Sequence, residues 1–278
     1  MLELAIIFGL LSAAAWGCGD FVAGFASRVN HHYQVVACVT IVSLLIYVSL
    51  ALLTSEALPS KTDFLWAIAS GIGSTIGLAA LYRGIALGKT ATVTPIAGVI
   101  GAALPILFSL LTSGVLAANT SIGILLSVIG LWLITKPTQG IASVDRSALI
   151  LGVSAGLGFG LFFILIAQVD KAFVYWPLTS TRIGTLLFIL VLLKSNKLPI
   201  SPRHKLHYSL IAGLLDCIGA LLFVFASHNA RVDVAAALSS LYPVATILCA
   251  TLVARETVSR SQWFGITVCF CGVMILSL

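Results

Sequence analysis

The sequence predicts an all-α integral membrane protein, with ten transmembrane helices arranged as two inverted five-helix repeats. Three observations carry this. The 278 residues are 60% hydrophobic and only 9% charged, with a mean hydropathy of +1.14. A soluble domain carries about 25% charged residues, and so little charge cannot coat a surface against water. Apolar runs near or above the roughly 20 residues needed to cross a bilayer recur along the whole chain. Finally, the second half repeats the first at a constant offset of 142 residues: Ser12-Ala13 becomes Ser154-Ala155, Gly71 and Gly77 become Gly213 and Gly219, Lys89 becomes Arg231, and Gly123 and Gly130 become Gly265 and Gly272. Five spans per copy is an odd number, so the second copy enters the membrane in the opposite orientation. Inverted repeats of this kind build many secondary transporters, with the substrate site near the midplane where the repeats meet. The repeats occupy residues 1–136 and 147–278, joined by a linker over 137–146.

In order, the spans fall at 3–26, 33–53, 64–87, 91–114 and 120–135, then at 147–167, 177–193, 206–228, 232–254 and 262–278. The first lacks a basic leader and is too long for a signal-peptide core, so it is read as retained. Each span must be helical, because backbone groups in lipid have no water to bond. The longest connection, 194–205, cannot hold a soluble domain, and the chain is therefore not read as an enzyme.

The net charge of +6 has a topological meaning here and does not point to nucleic acid. The odd-numbered connections carry ten Lys and Arg residues and the even-numbered ones three, with Arg83 and Arg182 inside spans. Taken alone, this bias places both termini outside. The six cysteines all fall inside spans without metal-site spacing and read as small apolar packing residues. No metal or cofactor is expected. A Gly-x-x-x-x-Gly-Lys nucleotide loop is also absent, so the energy source is a gradient or an exchange rather than ATP.

Ionisable groups inside spans are costly, about 2.5–3.5 kcal/mol each on insertion scales. Counted from the side of the odd connections, Arg182 and Asp216 lie at matching depths, and so do Asp20 and Arg83. Two ion pairs follow as expectations, Arg182–Asp216 and Asp20–Arg83. For the first, a structural lock and a role in substrate or proton binding both stay open. An arginine suits a carboxylate or phosphate, because its planar fork binds either bidentately. Arg83 and His228 lie close to span ends, where snorkelling to the interface competes with pairing.

Gly152-x-x-x-Gly156-x-x-x-Gly160 in the sixth span, and Gly73-x-x-x-Gly77 and Gly84-x-x-x-Gly88 in the third, let helices approach closely. Pro95, Pro105 and Pro243 interrupt the fourth and ninth spans, and each removes one helix hydrogen bond. Pro95 and Pro243 are the expected hinges or helix breaks, since weak points in corresponding spans mark a transporter site. Trp16 and Tyr242 lie beside these features and can stack on a solute, or simply pack. Tyr33, Trp66, Tyr175, Trp176, Tyr208 and Trp263 lie near span ends, as an interfacial belt would.

Leu81-Tyr82-Arg83-Gly84-Ile85-Ala86-Leu87-Gly88 with Val93-Thr94-Pro95-Ile96 in the first half resembles a motif of the EamA-type transporters of the drug/metabolite transporter superfamily. Leu241-Tyr242-Pro243-Val244-Ala245-Thr246 with Arg255-Glu256-Thr257-Val258 looks like that family's second-half stretch, and Ala15-Trp16-Gly17 with Phe21 is similar to its opening. Gly101 and Gly114 depart from the pattern, standing where the first copy often has a proline and a glutamate, which implies an asymmetric site. The resemblance implies ten-helix carriers or efflux proteins for small metabolites. It also implies a cavity lined chiefly by the first, third, fourth, sixth, eighth and ninth helices, and termini in the cytoplasm of a bacterial inner membrane. That orientation is opposite to the one the charge count gives. Asp20 in the first helix resembles the coupling carboxylate of small multidrug exporters in the same superfamily.

The function expected from all this is secondary active transport of a small polar or amphipathic metabolite, with Trp16, Asp20, Arg182, Asp216 and Tyr242 in the binding cavity. The partners are the small-molecule substrate, the bilayer, protons as a candidate coupling ion and, through apolar faces such as Val268–Leu276, a second copy of the chain. Two alternatives stay open: a membrane-embedded sensor or assembly subunit without transport, and a translocase for lipid-linked carriers.

Overall fold

The computed structural model describes residues 2–114, 117–134, 146–202, 204–253 and 260–276. The predicted linker up to residue 145, Lys136, Arg203 and the Arg255–Val258 stretch lie outside them. Among the described residues every regular element is a helix: α1 (Leu2–Ser27), α2 (His32–Leu53), α3 (Lys61–Ala86), α4 (Thr90–Ser113), α5 (Ala118–Ile134), α6 (Arg146–Ile166), α7 (Tyr175–Ser195), α8 (Leu206–Asn229), α9 (Val232–Ser239), α10 (Tyr242–Val253) and α11 (Arg260–Leu276). Eight segments are long and apolar enough to cross a membrane, with α9 and α10 together forming one of them. α5 and α11 are shorter, at 17 residues each.

The ninth predicted span is thus two helices. Pro243 has no N–H to give the carbonyl of Ser239, so the first helix closes with Ser240 N–H on Ala236 O at 2.8 Å and Leu241 N–H on Leu238 O at 3.1 Å. The chain then restarts at Tyr242. Pro95 behaves differently. α4 runs unbroken through both Pro95 and Pro105, and the helix break expected at Pro95 does not occur. Pro95 stands in the second turn of α4, so the hydrogen bond it removes lies close to the helix start, where few bonds depend on it.

Many large apolar side chains point outward. Leu45, Leu65, Leu111, Leu187, Leu252 and Phe264 are exposed, whereas alanine, serine, threonine and glycine dominate the interior. This inverts a water-soluble core and suits a lipid solvent, in which small residues bring helices together. α1 packs on α8, α3 on α6, α2 on α7, α4 on α6 and α5 on α11. Gly152, Gly156 and Gly160 receive Ile96, Ile100 and Leu104 of α4, each four residues on from the last, so the two ladders mesh. The α3–α6 crossing is close as well. A Cβ at Gly158 would stand 2.5 Å from Gly77 N and 2.7 Å from Gly73 O, backbone atoms that cannot yield without parting the helices. Gly158→Ala is therefore expected to destabilise by about 1–3 kcal/mol. Gly101→Ala, whose new Cβ meets nothing nearer than 3.6 Å, should melt like the native protein in detergent.

The connections are pinned to the bundle. Glu56 accepts hydrogen bonds from the N–H groups of Val174, Tyr175 and Trp176 at 2.7–3.2 Å, placing a carboxylate at the positive start of α7. On the opposite side, His31 caps α2 by accepting from Tyr33 N–H at 3.3 Å, and Gln34 donates to the carbonyls of Pro199 and Ser201. Partial burial and the Arg83 guanidinium push the His31 imidazole below its usual range, which keeps the capping nitrogen free to accept.

Candidate functional site

α1, α3, α6, α7, α8 and α10 surround one central cavity, lined by Trp16, Asp20, Ser74, Leu78, Phe159, Phe162, Phe163, Arg182, Asp216 and Tyr242. All five residues proposed from the sequence face it. The space open to the centre of a water molecule is about 30 Å³. One water needs about 10–15 Å³ on that measure, so the cavity has room for about two or three waters and is too small for a metabolite in this conformation.

Arg182 is 1% exposed and Asp216 5%. Their ion pair runs from Nη2 to Oδ2 at 2.8 Å, the partnership that matched depths predict. α2 supports the pair from behind. Ser43 Oγ donates to Asp216 Oδ2 at 3.0 Å, and Tyr47 lays its ring 5.9 Å from the guanidinium while its hydroxyl donates to Cys217 O at 2.7 Å. Guanidinium nitrogens Nε and Nη1 have no hydrogen-bond partner among the described residues.

The second predicted pair does not form. Asp20 is buried on the cavity wall, while Arg83 is exposed and lines a separate opening with Arg28, His31 and His32. Arg83 lies in the last turn of α3, so its long side chain reaches the surface. Asp20 turns inward where Gly19 lets α1 close onto Leu215 and Asp216 of α8. Asp20 makes no hydrogen bond or ion pair among the described residues.

Four rings close one side of the cavity. Trp16, Phe162, Phe163 and Phe223 lie with centroids 4.6–6.2 Å apart, and Phe159 meets Tyr242 edge-on at 5.9 Å. Beyond them Ile166 and Val224, next along α6 and α8, open onto a vestibule of about 340 Å³ that also contains Lys171, His228 and Arg231. The phenylalanines of α6 and the Ser43–Tyr47 support were missed in the sequence, although both left a signal. Phe159, Phe162 and Phe163 share a helix face at i, i+3 and i+4, and Ser43 and Tyr47 stand one turn apart in an otherwise apolar span.

The model of the EamA-like transporter family matches residues 146–278. An uncharacterized protein of Methanocaldococcus jannaschii is 30% identical over 134 residues, which make up 97% of that protein and 48% of this chain. The chain belongs to the EamA-like transporter family. It is a multi-pass integral membrane protein and a membrane transporter of the drug/metabolite type. A solved crystal structure superposes with a TM-score of 0.71 over 100% of this chain and 98% of its own, at 14% identity, and shows that the fold is shared. Within this EamA-like frame, the aromatic wall and the buried Arg182–Asp216 pair are the features of this chain on which a transport site can be built.

Proposed function

We propose that this EamA-like protein is a secondary active transporter that carries a small polar or amphipathic metabolite by alternating access, driven by a gradient or by exchange. The observation that carries the reading is the central cavity. It is fed by helices from both halves, holds a buried ion pair, and has a wall of aromatic rings on the side of the vestibule. Ten spans in two inverted repeats supply the moving parts, with α5 and α11 as the fifth and tenth. Contacts related by the 142-residue offset support that arrangement. Gly71 packs on Thr181 and Gly213 on Val39, and Gly130 packs on Gly265 and Gly272 on Gly123. In each case the second contact is the first with its two halves exchanged. The archaeal relative, about half the length of this chain, supports the descent of the two halves from one five-helix unit.

In this reading the halves rock about the cavity, and the turn at Ser240-Leu241 lets α10 move relative to α9. Trp16, Asp20, Arg182, Asp216 and Tyr242 contact the substrate. The test is exchange in proteoliposomes loaded with a pooled metabolite extract, followed by mass spectrometry with and without a pH gradient. Selective movement of a few solutes is expected. No movement with folded, inserted protein would overturn transport.

A further inference from the structure

Arg182 is the largest fully buried side chain among the described residues, and Asp216 engages it through Nη2. Nε and Nη1, on either side of Nη2, have no hydrogen-bond partner among those residues although the side chain lines the cavity. A guanidinium offers five N–H donors, and a buried donor left unpaired costs about 1–3 kcal/mol or more. These donors can take an acceptor that arrives with the substrate, in place of the water for which the cavity has room.

One opening agrees on its sign. The vestibule beyond the aromatic wall is lined by Lys171, His228 and Arg231, but Asp233 lies on Arg231 at 3.0 Å and Asp170 and Glu56 stand near enough to His228 to offset the cations. The opening on the other side, about 510 Å³, is lined by Arg28 and Arg83, with no carboxylate among its lining residues. Mouths of one sign concentrate solutes of the opposite sign. The cavity itself sets two further limits. Asp20, buried on the same wall, offers no cation to a second negative charge. The rings of Trp16, Phe159, Phe162, Phe163 and Tyr242 favour an apolar body over a strongly hydrated one.

We infer that the substrate is a monocarboxylate with an apolar or aromatic body, its carboxylate docking on the guanidinium nitrogens of Arg182 that Asp216 does not engage. This deepens the transport reading and rests on it. Arg182 supplies affinity, and the cavity lining holds no second cation for a dianion.

Three probes with one aromatic body and different head groups test the proposal: phenylacetate, phenylmalonate and phenethylamine. Binding to the purified full chain in detergent is measured at equilibrium with radiolabelled compounds. Phenylacetate should bind, and phenylmalonate should bind about tenfold more weakly or worse. Arg182→Gln should abolish phenylacetate binding, and Arg182→Lys, which keeps the charge but loses the planar fork, should weaken it. The melting temperature of each variant confirms that it is folded. Should Arg182→Gln fail to fold, the ranking of the three probes on the native chain decides. Binding of phenethylamine in place of phenylacetate would overturn the proposal, as would equal binding of phenylmalonate and phenylacetate. Either result leaves transport standing if the metabolite exchange succeeds. Transport falls only if that exchange is silent.

Discussion

A protein carrying Arg182→Met together with Asp216→Leu is expected to insert, fold and melt no lower than the native chain, and to exchange no solute in proteoliposomes. The two side chains are 2% and 7% exposed and 2.8 Å apart. Taking both charges out of water offsets most of their attraction, and replacing a buried pair by apolar groups of similar size is commonly neutral or stabilising by about 1–4 kcal/mol. Removing one partner is another matter. Arg182→Met alone leaves Asp216 with Ser43 Oγ as its remaining side-chain donor, and an uncompensated buried charge costs about 3–5 kcal/mol. A single variant that loses transport would therefore say little, since misfolding gives the same result. The double variant separates the two roles. If the pair only locks α7 to α8, apolar packing replaces it and transport continues. If Arg182 holds the substrate, the melting temperature stays and transport disappears. Melting temperature and metabolite exchange measured on one preparation give the answer.

The same pair shows how far the sequence could be read. Arg182 and Asp216 lie mid-span, too deep for either to reach the interface, so matched depth was enough to join them. The reasoning failed for Asp20 and Arg83 because Arg83, in the last turn of α3, has water within reach and no need of a partner. Helix positions were legible from apolar length, since a lipid solvent leaves the backbone no alternative to helix. Continuity was less so. Two prolines looked alike in the sequence, yet Pro243 ends α9 while Pro95 passes inside α4, because the cost of a missing hydrogen bond depends on where the helix begins. The cavity wall from α6 was partly hidden by its own glycines. Gly152, Gly156 and Gly160 mark the face that meshes with α4, while the neighbouring face with Phe159, Phe162 and Phe163 looks like ordinary core until α1 and α8 are set against it. Depth and periodicity place residues along and around each helix. Which helices meet is decided by packing between sites far apart in the chain, such as Gly17 of α1 against Tyr242 and Thr246 of α10.

That contact between halves carries the second large effect. Mild oxidation is expected to join Cys18 to Cys249 and arrest exchange, and a reductant should restore it. The two sulfurs are 3.4 Å apart, one on α1 and one on α10, and a disulfide needs about 2.05 Å, a gap that small side-chain rotations close. Beside them Thr246 Oγ donates to Gly17 O at 3.2 Å, so the helices already touch along this line. If the halves rock, α1 and α10 must slide or part here, and a covalent bond stops the cycle in the closed form. Peptide mass spectrometry without reduction identifies the bond, and Cys18→Ser should make exchange indifferent to the oxidant while leaving its native rate. A cross-linked protein that still exchanges at that rate would mean that α1 and α10 travel as one body. The moving surface would then be sought where α3 and α4 meet α6, at the glycine ladder and the Gly158 crossing.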